Sequence, residues 1–322
     1  MAGRLAAGRL AAGRLAPVAL VVASVALAAC GAPAPAGLAS GSAGGGGRSG
    51  AGELRIVAAE SFWGSLAAQI AGDRAQVTSI VRDPNADPHE HEATPADARA
   101  FADASYVVVN GVGYDGWADK LLAANPSSHR RVLVVGRLVH KSPGDNPHLW
   151  YDPAYVSRAV TQMAADLSAL DPRDAGWFHS RLASLRRSLA PYQAAVEQIR
   201  DRYAGTPVAS TESVLAYLAS AAGLNLVSPA SFMKAVSEGT DPPVSSVVTF
   251  RRQLAERLPR ILVYNTQTVT PITTAMERAA TAASIPSLGV TETLQPPGTT
   301  FQAWMAGELA RLESALRKGA RR

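Results

Sequence analysis

Cysteine is almost missing from this 322-residue chain: Cys30 stands alone, so no disulfide can close within it. Long apolar runs are missing too, because the most hydrophobic uncharged stretch, residues 15–29, is shorter than the roughly 20 residues that span hydrocarbon as a helix. Nothing comparable follows it, and a transmembrane anchor is the weaker reading. There is no His-Glu-x-x-His element, no Gly-x-Ser-x-Gly elbow and no glycine-rich phosphate loop, which leaves hydrolytic chemistry without a local signature. Net charge is also scarce. The formal +5 includes Arg4, Arg9 and Arg14, and without them it is near +2, so no nucleic-acid partner is expected. The basic residues Arg317, Lys318, Arg321 and Arg322 read as a solvated helix end.

Those three arginines, followed by the uncharged run and no acid, have the n-region and h-region of a secretory signal. Leu27-Ala28-Ala29-Cys30 resembles the bacterial lipobox, in which the cysteine thiol takes a diacylglycerol and becomes the mature N-terminus. Ordinary cleavage after Ala28 is the alternative and would leave Cys30 an unmodified thiol. Residues 1–29 are therefore expected to be a lipoprotein signal peptide. Residues 30–52, rich in Gly, Ala, Pro and Ser, are expected to be a flexible tether. An exported protein held on the outer face of the cell membrane follows from this reading.

Residues 53–322 are long enough for one large domain or two lobes with cores of their own. Apolar, β-branched runs alternate with helical patterns, which argues for βαβ units on parallel sheets. Strands are expected at residues 54–59, 77–81, 106–110 and 132–135 in an N-terminal α/β lobe over residues 53–153. A helical segment over residues 154–206 follows, with helices at 154–170 and 174–203 and a kink or break at Pro191. A C-terminal α/β lobe over residues 207–322 has expected strands at 208–210 and 261–264. Residues 227–243 read as a mixed loop. Ligand sites in open α/β sheets lie beyond the carboxyl ends of the strands, so the loops there are where chemistry is sought.

Three such segments carry metal-binding side chains. Asp87-Pro88-His89-Glu90-His91-Glu92 places two imidazoles and three carboxylates in six residues, a moderate metal signal beside the reading as a solvated polar turn. Asn146-Pro147-His148-Leu149-Trp150-Tyr151-Asp152-Pro153 fixes one imidazole between prolines, although a histidine beside Trp150 also fits simple packing. Thr211-Glu212-Ser213 puts a carboxylate after a strand at a helix start, where the helix dipole favours it in any case.

Together these segments resemble the solute-binding lipoproteins of zinc and manganese ABC importers, the cluster nine metal receptors, from about residue 54 to residue 304. The resemblance implies two α/β lobes joined by a long rigid backbone helix, with one divalent transition metal ion, zinc, manganese or iron, in the cleft between them. It implies His89 and His148 as ligands from the first lobe and Glu212 from the second, a membrane permease as partner, and a monomer. The fourth ligand departs from the family pattern, because the loop expected to supply an aspartate, residues 264–270, has no acid. Gln267 or Asn265 can offer a carbonyl oxygen there, water can complete the site, or the loop with Glu238 and Asp241 can approach.

His91 can assist capture, whereas His129, His140 and His179 are expected to face solvent. The absence of a histidine-rich insertion between Trp117 and His148, and Glu212 in place of a third histidine, pull toward a harder ion such as manganese or iron(II). Metal affinity is expected to fall below about pH 6.5, where imidazole protonates. A metal-dependent hydrolase with Glu90 or Glu92 as base, and a structural or adhesive lipoprotein, are the alternatives.

Overall fold

The computed structural model describes residues 54–85 and 87–320. The segments expected to be a signal peptide and a tether, with Cys30, lie outside the described residues.

The run Leu-Arg-Ile-Val-Ala-Ala-Glu forms β1 (Leu54–Glu60), buried on both faces from Ile56 onward, as a central parallel strand must be. It leads directly into α1 (Ser61–Ala71), which returns to β2 (Ala75–Val81). Thr94 caps α2 (Pro95–Asp103) through a reciprocal bond with Asp97, and β3 (Tyr106–Val109), α3 (Gly116–Ala124), β4 (Arg131–Val134) and the single turn α4 (Val135–Leu138) complete the first lobe. The sheet is wholly parallel, in the order β2-β1-β3-β4, with Ile56 paired to Val77 on one side and Tyr106 on the other.

Two long helices follow. Asp152 caps α5 (Pro153–Leu170) by accepting the backbone N–H groups of Ala154 and Tyr155. Then α6 (Ala175–Tyr203) runs unbroken through Pro191, so of the expected kink or break the break does not occur. Pro191 faces solvent, so water can satisfy the carbonyl it strands, while Leu185, Leu189, Tyr192 and Val196 pin the helix on its buried side.

The second lobe repeats the first in topology. It contains β5 (Pro207–Ser210), α7 (Ala216–Ala221), β6 (Asn225–Leu226), α8 (Ala230–Ser237), α9 (Val244–Ala255), β7 (Leu262–Asn265), α10 (Pro271–Ala282), β8 (Ser287–Val290) and α11 (Phe301–Ala320). Its sheet order is β6-β5-β7-β8, again all parallel. The stretch read as a mixed loop thus holds α8, and β8 is a strand the apolar pattern did not reveal. Gly289 interrupts that pattern for a steric reason: a Cβ there would stand 2.7 Å from Thr266 Cγ2 and 3.1 Å from the Tyr264 ring.

Helix α6 packs on α1, α5 and α11. One apolar cluster runs through both lobes, taking in Ile56 and Trp63, Leu185 and Tyr192 of α6, and Val263 and Leu309. The two sheets are therefore mounted on a shared core. No helix among the described residues is long and apolar enough to cross a membrane.

Candidate metal centre

Four side chains meet where the two sheets' carboxyl ends face each other: His89, His148, Glu212 and Glu292, each offering one ligand atom within 4.8 Å of the others. Glu212 follows β5 and Glu292 follows β8, while His89 and His148 come from loops of the first lobe. His148, Glu212 and Glu292 are fully buried, and His89 stands at the mouth of a cleft of about 820 Å³.

Each histidine is aimed by its own loop. Asp87 caps the short turn Pro88–Glu90 and accepts the His89 backbone N–H at 2.9 Å. Its other oxygen receives Thr268 Oγ1 of the second lobe at 3.2 Å. Asn146 Oδ1 accepts the His148 backbone N–H at 3.0 Å and lies 2.7 Å from Nδ1. A carboxamide oxygen only accepts, so Nδ1 carries the proton and the Nε2 lone pair points into the cluster. Asn146 also donates Nδ2 to Ser213 O across the cleft at 2.8 Å. Replacing Asn146 with alanine is expected to cost about ten- to a hundredfold in metal affinity while leaving one ion per chain, measured by calorimetry.

Three separations among the inward atoms match the edge of a tetrahedral coordination shell. His148 Nε2 lies 3.1 Å from Glu212 Oε1 and 3.3 Å from Glu292 Oε2, and His89 Nε2 lies 3.4 Å from the same Glu292 oxygen. Ligands about 2.0–2.1 Å from a tetrahedral ion stand about 3.4 Å apart along each edge. Both Nε2 atoms are buried and make no hydrogen bond. This arrangement of ligand atoms could hold a metal ion.

Electrostatics agree with that. Burial works against a charged His89, but the carboxylates of Glu292, Glu212 and Asp87 raise it to about 9. Burial also opposes charge on Glu292, yet His89 and His148 hold its carboxyl well below the ordinary range. Glu212 is pushed up by burial, which the imidazoles only partly offset. When both glutamates are ionised and both imidazoles neutral, as coordination requires, the two negative charges match a divalent ion.

Of the residues singled out from sequence, His89, His148 and Glu212 come together. Gln267 does not join them: its Oε1 accepts the backbone N–H groups of Glu292 and Thr293 at 2.6 and 3.1 Å, so it braces the loop that carries Glu292, the second acid of the cluster. Asn265 turns its amino group, not its carbonyl, toward the carboxylates. Glu238 is paired with Lys234 at 2.9 Å on the cleft rim, where Asp241 is also exposed. His91 stacks edge-on to Trp117 and approaches Asp97 at 3.4 Å, away from the cluster. His129, His140 and His179 are exposed.

Glu292 was missed, although a signal existed. Thr291-Glu292-Thr293 after β8 echoes Thr211-Glu212-Ser213 after β5. Tyr114 and Tyr151 of the first lobe fix its place: Tyr114 donates its hydroxyl to Glu292 Oε2 and Tyr151 to Thr291 O, both at 2.7 Å.

Two parallel α/β sheets on a common helical core, with a buried pair of imidazoles and a pair of carboxylates in the cleft, define a bilobed binding protein for a divalent metal ion. The model of the family described as ZnuA, zinc-uptake complex component A, periplasmic, matches residues 56–315, and the chain belongs to this family. The family consists of substrate-binding transport proteins rather than enzymes, and neither the hydrolase nor the adhesive alternative gains support. Over 222 residues the chain is 31% identical to the manganese-binding lipoprotein MntA of Halalkalibacterium halodurans, covering 66% of this chain and 71% of that protein. It is 24% identical over 248 residues to the metal ABC transporter substrate-binding lipoprotein FimA of Streptococcus parasanguinis, covering 70% and 77% respectively. Among solved structures, the periplasmic zinc-binding protein TroA of Treponema pallidum superposes with a TM-score of 0.71 at 16% identity, over 82% of this chain and 99% of that one.

Proposed function

We propose that the protein captures one divalent transition metal ion outside the cytoplasm and delivers it to the membrane permease of an ABC importer. His89 and His148 hold the ion from the first lobe, and Glu212 and Glu292 hold it from the second. The observation that carries this reading is the convergence of four ligand atoms within 4.8 Å of one another, with three of their separations at 3.1 to 3.4 Å and two of the atoms buried nitrogens without a hydrogen bond. Family membership and relatives named for manganese, zinc and iron binding support the same cargo class.

Ligands divided between lobes make capture and closure one event. The contacts from Tyr114 to Glu292, Tyr151 to Thr291 and Asn146 to Ser213 cross the cleft, so release requires the permease to part them. The chain acts as a monomer, held by a diacylglycerol on Cys30 through the tether at residues 30–52. The lipobox-like Leu27-Ala28-Ala29-Cys30 supports the anchor, and mass spectrometry of the mature N-terminus checks it.

Metal addition tests the central reading. An ion at about a thousand times its Kd stabilises a folded protein by about 4 kcal/mol, which for a chain of this size raises Tm by roughly 10 °C. Zinc and manganese are each expected to produce such a shift, with one ion per chain in native mass spectrometry. No shift and no bound ion with either metal would refute it.

A further inference from the structure

Strand β7 lies between β5 and β8, and its last residue, Asn265, therefore sits between the two acids that follow its neighbours. Asn265 is buried and paired in register with Val290. Its two N–H groups donate to Glu212 Oε2 at 2.9 Å and to Glu292 Oε1 through a short bond, with Thr268 Oγ1 3.1 Å from the same nitrogen. The orientation of the carboxamide is fixed from behind, because Oδ1 accepts the Gln267 backbone N–H at 2.9 Å. A flipped amide would turn its oxygen onto two carboxylates and leave that N–H without its acceptor.

One amino group thus occupies the outer oxygen of each glutamate, Glu212 Oε2 and Glu292 Oε1. The oxygens turned to the histidines are Glu212 Oε1 and Glu292 Oε2, the latter also accepting the Tyr114 hydroxyl at 2.7 Å and keeping a second lone pair for an ion. We infer that Asn265 sets the coordination number of the captured ion, restricting each glutamate to one ligand oxygen and so widening the preference for zinc over manganese. The inference rests on the metal-receptor reading above. To bind through both oxygens a glutamate must bring the ion up against the positive amide hydrogen or turn away from it and strand a buried N–H, a loss of the kind proteins avoid. Zinc, content with four ligands, gives up nothing under this restriction. Manganese, which favours six, is denied two ligand atoms.

Cobalt(II) is the probe, because four-coordinate cobalt has intense visible bands and six-coordinate cobalt weak ones. The wild-type protein is expected to bind one cobalt with the intense spectrum. Asn265→Ala and Asn265→Leu, checked for folding by circular dichroism, are expected to keep one ion per chain, shift to the weaker spectrum, and narrow the zinc-to-manganese affinity ratio about tenfold. The leucine variant fills the space that water could occupy in the alanine variant. A six-coordinate wild-type spectrum, or folded variants with unchanged spectrum and ratio, would overturn the role of Asn265 while leaving the receptor reading intact. A wild-type protein that binds no cobalt, zinc or manganese would overturn both.

Discussion

Replacing Glu292 with alanine is expected to weaken zinc and manganese binding on the order of a hundredfold or more. A fully protein-bound zinc ion is held by about 10–16 kcal/mol, so one of four ligands is worth about 3 kcal/mol, and each 1.4 kcal/mol is a factor of about ten. Glu292 has a further consequence, since its Oε2 lies within 3.4 Å of both imidazole nitrogens and supplies the charge that holds His89 protonated in the metal-free protein. The contrasting variant is Gln267→Ala. That substitution removes a brace on the Glu292 loop and not a ligand, so its cost is expected near the tenfold end of the range for residues that position ligands. Calorimetric titration of both variants separates the roles. Full affinity in Glu292→Ala together with a hundredfold loss in Gln267→Ala would return the fourth position to the carboxamide.

Affinity is expected to rise about tenfold per pH unit up to about pH 9 and then level off. In the metal-free protein His89 is raised from its ordinary 6.5 to about 9, so at neutral pH an incoming ion must expel one proton. The window expected from an unperturbed imidazole, a fall only below about 6.5, is thereby moved upward by the surrounding carboxylates. Stability of the metal-free protein moves in the opposite sense. A group whose folded pKa is raised contributes stability fully below its unfolded value, near 6.5, and loses it as pH climbs through 9. The melting temperature without metal should therefore decline between those limits, while that of the metal-bound protein should not, because the proton has already left. Titrations near pH 7 in buffers of different ionisation enthalpy should report release of about one proton per ion. Binding that releases none, or affinity already level below pH 7, would contradict the electrostatic account.

Much of the architecture was legible because central parallel strands are written as unbroken apolar runs. Leu54 to Ala59 and Tyr106 to Val109 are of this kind, and the proline-bracketed segment around His148 specifies its own backbone. What escaped was decided by partners distant in sequence. The strand β8 is four residues long and carries Gly289, whose reason for being glycine is the proximity of Thr266 and Tyr264 on β7. Without that strand, Glu292 had no carboxyl end to belong to. The loop after β7 was a sound place to seek the fourth ligand, since β7 and β8 end side by side. Which of the two points an oxygen inward depends on side-chain direction, and Gln267 is drawn away by two backbone N–H groups that only the folded chain brings near. Pro191 illustrates the converse. A strong local signal for a break yields to helix α6 because tertiary packing holds the turns on both sides.

Anomalous diffraction from crystals of the protein loaded with zinc or manganese tests the central claim most directly. One ion is expected about 2.0–2.2 Å from His89 Nε2, His148 Nε2, Glu212 Oε1 and Glu292 Oε2, with Gln267 still turned to the Glu292 loop. An anomalous peak elsewhere, or an ion in the cleft that leaves Glu292 outside its ligand set, would contradict the account.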